Sequence, residues 1–194
     1  MILVMSLRAQ NLPNVRPLLL GQIGLVALLL VCFALKPQFL RSEGGFSNYG
    51  ITAATIPFFT LAFLFATIGT VVAAQRIARA HTKFAWSLRV LALLFFCVLV
   101  STYPYKVNNI FDDLHELSAM LLFVWEVCLS VYFVRKLHDA PNVLLFALQF
   151  GASVAALVTF LGFVHLLFVS QFVEGAAFGA LLVRSVSKIS EAKL

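Results

Sequence analysis

Apolar residues in this chain come in long unbroken runs rather than alternating or recurring along one face. Short polar interruptions separate them, and a run of about 20 mostly apolar residues is what a helix needs to cross a bilayer. Segment one extends from about Leu18 to Leu35 and ends at Lys36-Pro37-Gln38. A polar loop over 36–50 follows, with Glu43, Gly44, Gly45, Ser47 and Asn48. Segment two covers about Ile51 to Gln75, with Pro57 near its start, where a missing N–H is best tolerated. Segment three runs from about Ala85 to Tyr103 and stops at Tyr103-Pro104-Tyr105-Lys106. Segment four, about Leu114 to Val134, stops at Arg135-Lys136.

Between Val143 and Val183 lie 41 residues without a Lys, Arg or Asp. As one helix this stretch would be about 60 Å long, twice the hydrocarbon thickness, so it has to fold back. Gly162 is the expected bend, giving segment five (about Asn142 to Leu161) and segment six (about Val164 to Arg184). The pattern predicts an all-α, polytopic membrane protein, a bundle of six transmembrane helices forming a single domain over residues 1–194.

Composition agrees. Of 194 residues, 62% are hydrophobic and 11% charged, against roughly a quarter charged in a soluble domain. Mean hydropathy is +1.00. The net charge of +6 reads as loop asymmetry rather than as a nucleic-acid surface, because no basic cluster is interleaved with exposed aromatics. With the N-terminus taken as cytoplasmic, eleven of the 14 Lys and Arg fall on the inner side and three (Lys36, Arg41, Lys106) on the outer. This places both termini in the cytoplasm, with Glu43 and Asp112 facing out and Arg79, Lys136 and Lys188 facing in. Arg8 and Arg16 before an apolar run resemble a signal peptide, but without a small-x-small cleavage site the run reads as a retained first helix. Cys32, Cys97 and Cys128 all sit in apolar runs and form no C-x-x-C pair.

Small residues at helix-packing spacing occur as Gly175-x-x-x-Gly179 in segment six and as Gly151 and Ala155 in segment five. They are expected to pack these two segments together.

Ionisable residues at bilayer depth are the first candidates for chemistry, since an unpaired charge there costs at least ~2.5 kcal/mol. Glu126 in segment four and Glu174 in segment six qualify. His115 and Glu126 are eleven residues apart, which returns to nearly the same helix face. Glu126 is expected to face the bundle interior in its protonated form, since low dielectric disfavours the carboxylate. The plainer reading is a carboxyl hydrogen-bonded to a neighbouring helix. His115 and His165, at similar depth, are candidate ligands for a divalent metal or an acid–base pair. Against this, Asp113 and Glu116 read as a capping box that makes His115 an interfacial residue. His81 and His138 lie in basic loops rather than over an apolar helix pocket, which disfavours haem. The glycines of Gly44-Gly45-Phe46-Ser47-Asn48-Tyr49-Gly50 allow tight turns. The string either caps segment two through Ser47 or Asn48, with Tyr49 in an aromatic belt, or folds back over the helix ends to cover a head-group site.

Six helices with termini inside, a long first outer loop, Ser47-x-x-Gly50 within it, His115 at the outer start of segment four and Gln171-Phe-Val-Glu174 in the last segment form a recognisable layout. It resembles the DRAM/Frag/Sfk superfamily of six-helix membrane proteins and its bacterial relatives of unknown function, a group that includes GPI-anchor-remodelling and lipid-linked proteins in eukaryotes. The resemblance implies a lipid-associated role at the outer leaflet and leaves the type of reaction open.

Three readings follow. The first is binding or remodelling of a lipid head group or lipid-linked substrate in an outward polar cavity between segments two, four and six. Ser47, Asn48, Gln171 and Glu174 would bind the substrate and His115 would act with Glu126. The second is a small proton-coupled carrier using Glu126 and Glu174. The third is a non-catalytic accessory subunit. Membrane lipids are the expected partners, with a membrane-protein partner alongside in the third reading; nucleic acid is not expected.

Overall fold

The computed structural model describes residues 15–41, 45–160 and 166–191. Its helices, in chain order, are α1 (Arg16–Leu35), the short α2 (Ser47–Gly50), α3 (Ile56–Ile77), α4 (Thr82–Thr102), α5 (Asn109–Leu137), α6 (Ala140–Phe160) and α7 (Leu167–Glu191), with a 3-10 turn at Pro37–Arg41. Six of them, all but α2, are long and apolar enough to cross a membrane. The chain is a multi-pass integral membrane protein. Its surface agrees: Ile68, Trp86, Leu93, Met120, Leu144 and Leu157 are each more than half exposed, which is costly in water and natural against lipid.

Each helix packs on its sequence neighbour: α1 on α3, α3 on α4, α4 on α5, α6 on α7. Contacts of α7 with α1 and α5 close the bundle. The fold-back between segments five and six is present, because α6 and α7 lie side by side, although Gly162 itself falls outside the described residues. Local chemistry sets several helix ends. Pro17 and Pro57 occupy first-turn positions where no N–H is needed. At the C-terminus of α5, Arg135 and Lys136 face the negative end of the helix, and His138 closes it in the left-handed conformation.

Several expectations are corrected here. Segment two begins at Ile56, not Ile51, because 51–55 form a turn in which Thr55 Oγ1 donates to Tyr49 O at 2.6 Å. Thr55 therefore occupies the N-cap position, and neither Ser47 nor Asn48 caps this helix. Segment four begins at Asn109. Its N-cap is Asn108, whose side chain accepts from Phe111 N, so Asp113 and Glu116 lie inside the helix rather than in a capping box. Tyr49 is no belt residue. It is fully buried against Phe39 and Phe168.

The expected Gly175–Gly179 seam is also absent. A side chain at Gly175 or Gly151 would meet open space, and Gly179 makes room for Gln22 of α1 rather than for α6. A close backbone approach lies elsewhere, where α1 crosses α3. A Cβ on Gly69 would sit 2.5 Å from Pro17 O and 2.9 Å from Gly21 Cα, so neither glycine tolerates a side chain.

Candidate functional site

Among the described residues, the predicted site residues do not line one space; they divide between two places along α5. The first is the bundle end where α4 finishes and α5 begins. Residues 45–50 fold back over the helix ends there. Gly45 adopts a left-handed φ of 52°, and Gly50 lies against Thr102 and Phe59, where a side chain would clash. Gln171 of α7 anchors the loop by accepting from Phe46 N at 2.9 Å, which makes it a loop fastener in this structure.

Folding back brings Ser47 Oγ to 2.5 Å from His115 Nε2. The other ring nitrogen, Nδ1, is 3.2 Å from Ser101 Oγ and 3.4 Å from Thr102 Oγ1, both at the end of α4. These two hydroxyls donate their protons to Val98 O, at 3.2 and 2.7 Å, so their oxygens are left as acceptors for the ring. Donor accounting then puts the imidazole proton on Nδ1. Nε2 is free to accept, and the Ser47 hydroxyl is its donor. The ring is buried and stacks at a tilt on Tyr105, with centroids 4.7 Å apart. Burial, followed by the nearby charges of Asp112 and Glu116, holds the Tyr105 hydroxyl above the usual phenol range, so it stays neutral. Beside Ser47, Asn48 Oδ1 accepts from Lys106 Nζ at 2.9 Å. Lys106 has a positive φ of 66°, and its N–H donates to Asp112 Oδ1 at 2.6 Å.

The second place is three turns down α5. Glu126 is buried, on the face shared with His115, as the eleven-residue spacing predicts. Its carboxyl lies within electrostatic reach of the Glu174 carboxyl on α7. Carboxylates only accept, so a hydrogen bond between the two would need a proton on one of them. Glu174 Oε1 also accepts from Gln149 Nε2 at 3.1 Å, and Gln149 Oε1 accepts from Ser130 Oγ at 2.6 Å. Ser130 is one turn below Glu126, so the hydrogen bonds run from α5 to α6 to α7, where Glu174 faces Glu126. The helix rise separates Glu126 from His115 by about 16 Å, too far for Glu126 to serve as the direct partner of His115. No protein-family model, curated protein or solved structure matches this chain.

Among the described residues, no three His, Cys, Asp or Glu group to hold a metal. Both nitrogens of His115 are engaged by hydroxyls, and His165 lies outside the described residues. His81 and His138 stand at the N-cap of α4 and the C-cap of α5. At that same end of the bundle, Arg184 Nη2 is 3.0 Å from Asp139 Oδ2, and Lys188 Nζ pairs with the same oxygen. Arg184 Nε also donates to Asn142 Oδ1 at 3.0 Å, which ties α6 to α7.

Of the residues named from sequence, Ser47, Asn48 and His115 lie together at the first place and Glu126 and Glu174 at the second. Sequence reasoning missed Ser101, Thr102, Tyr105, Lys106, Ser130 and Gln149. Two signals were readable: Ser130 stands one turn from Glu126, and Gln149 is the lone amide in the apolar run from Val143 to Phe160.

Proposed function

We propose that this protein binds the head group of a membrane lipid or lipid-linked substrate at the His115 end. In this reading that end faces away from the cytoplasm, both termini are cytoplasmic, and the basic end carrying Arg79, Lys136 and Lys188 lies inside. The observation that carries the proposal is the loop over 45–50 folded onto the helix ends. It sets Ser47, Asn48 and Lys106 beside His115 at one end of the helical bundle, which in this reading is the level of the lipid head groups. A cation, an amide and hydroxyls at that depth suit a phosphate and its neighbouring polar groups. The resemblance to the DRAM/Frag/Sfk superfamily points the same way.

The test is native mass spectrometry of protein taken from nanodiscs of mixed phosphatidylcholine and phosphatidylglycerol. The wild type should retain lipid, and Asn48→Ala and Lys106→Ala should lose it while remaining folded. Equal retention in all three would remove the proposal. For orientation, an impermeant thiol reagent on intact cells should label a cysteine at position 106 and leave those at 79 and 136 untouched.

A second reading, proton exchange by Glu126 and Glu174, is favoured by two carboxyls facing each other between α5 and α7. It predicts pH-driven proton flux in proteoliposomes that Glu126→Gln abolishes. Equal flux in the variant, or none in the wild type, would end it.

A further inference from the structure

Ser47 and His115 have the geometry of a nucleophile and its general base, which goes further than head-group binding requires. A serine hydroxyl is a weak nucleophile until a base takes its proton, and the signature of that arrangement is a hydroxyl within hydrogen-bond reach of an imidazole that a third group orients. Each element is present. The Oγ–Nε2 separation is 2.5 Å, and the Nδ1–H is held by Ser101 and Thr102, whose own protons are committed to Val98 O. That commitment fixes the tautomer in which Nε2 accepts, as a base must. Ser47 is partly accessible while His115 is buried, so the nucleophile is open to an incoming group and the base is shielded. Lys106, held on Asn48, supplies positive charge at the adjoining residue.

We propose that Ser47 and His115 form a catalytic pair for acyl transfer, and that the substrate is a carboxylic ester of a membrane glycerolipid. The depth selects this class. His115 lies six residues into α5, about 9 Å along its axis from Asn109. The polar layer on each side of a bilayer is about 5–8 Å thick, so with Asn109 at the membrane surface the pair sits where head groups give way to hydrocarbon, the level of the lipid's ester carbonyls.

In the first step Ser47 Oγ bonds to the carbonyl carbon and its proton passes to His115 Nε2. Collapse breaks the carbonyl carbon–alkoxy oxygen bond, and the Nε2 proton goes to the leaving oxygen, which departs as the lysolipid alcohol. The acyl-serine is then attacked by water, releasing a fatty acid, or by the hydroxyl of a second lipid, giving a new ester. In either case the attacking O–H proton goes to Nε2 and on to Ser47 Oγ as the bond to serine breaks. Ser101 and Thr102 are positioning residues that hold the ring.

This inference rests on lipids reaching the His115 end, so the test separates the two. Wild-type protein in phosphatidylcholine nanodiscs is treated with an alkyl fluorophosphonate, and the modified peptide is located by mass spectrometry. The same protein is then given phosphatidylcholine with a labelled acyl chain. We expect an adduct on Ser47 and release or transfer of the label. Both should be absent in Ser47→Ala and slowed about 10²–10⁴-fold in His115→Ala, the range that a general base contributes. Ser101→Ala with Thr102→Ala, folded by circular dichroism, should shift the pH profile of labelling. Wild-type protein that retains lipid by native mass spectrometry yet shows neither adduct nor ester turnover would overturn the catalytic pair alone. Labelling of His115→Ala at the wild-type rate would overturn it too. An adduct on Ser47 without lipid retention would leave the pair standing and remove the head-group reading.

Discussion

Where α1 crosses α3, Gly21 and Gly69 bring two backbones together, and Leu18, Leu25, Ala62 and Ala66 are buried around them. Where α5, α6 and α7 meet, the contact is polar. Ser130, Gln149 and Glu174 are hydrogen-bonded in a row with Glu126 facing Glu174, and Asp139 clamps Arg184 and Lys188 at the end. Both regions face the same solvent, lipid, which supplies no hydrophobic drive between helices. The first therefore gains from close packing and the second from hydrogen bonds that hydrocarbon cannot replace. The difference locates the site. Ser47, from the loop that follows α1, and Ser101 and Thr102, at the end of α4, belong to the tightly packed side. His115 belongs to the polar side and meets them across the junction.

Substitutions can break that contrast. The largest effect is expected at Gly69→Leu, at the upper end of the about 1–3 kcal/mol typical of overpacking, because the atoms in the way are backbone and cannot yield. Gly175→Leu, facing open space, should leave stability within about 0.5 kcal/mol. Equal melting temperatures for the two variants would mean that α1 and α3 do not approach as described.

Next comes Glu126→Leu, which strands Glu174 in the bundle with Gln149 as its remaining partner. It should cost about 2 kcal/mol, whereas Glu126→Gln keeps a donor and should cost less than half as much. Denaturant titration of both in detergent checks this, and identical losses would show that the carboxyl pair does not hold α5 to α7.

The smallest effect is at Asp139. Burial would raise its pKa, but Lys188, the Asn142 N–H and Arg184 outweigh burial and hold it below the ordinary aspartate range. A lowered folded-state pKa contributes stability that is present above the unfolded value and lost as pH falls through the folded one. Asp139→Asn should therefore cost under about 1 kcal/mol at neutral pH, since the pair is partly exposed. It should also remove part of the acid-side decline in thermal stability.

The spans were legible because hydropathy is a property of each segment taken alone. The start of α3 was not, since Ile51 to Thr55 read as apolar sequence and leave the helix only because Thr55 turns back onto Tyr49. The placement of His115 and Glu126 on one face followed from their spacing. Their partners on other helices did not, because the register of α4, α6 and α7 against α5 is written nowhere in local sequence. The glycines show the same limit. Gly175-x-x-x-Gly179 has the spacing for a close contact but does not name its partner, and the decisive Gly21 and Gly69 belong to no such G-x-x-x-G pair.

The central claim is that folding the 45–50 loop back makes Ser47 the donor to His115 Nε2. Nitrogen NMR of protein with isotope-labelled histidine in lipid bilayers tests it directly. The account predicts that neutral His115 carries its proton on Nδ1, with an unprotonated Nε2 whose resonance shifts in Ser47→Ala. A proton on Nε2, or a resonance indifferent to Ser47, would contradict it.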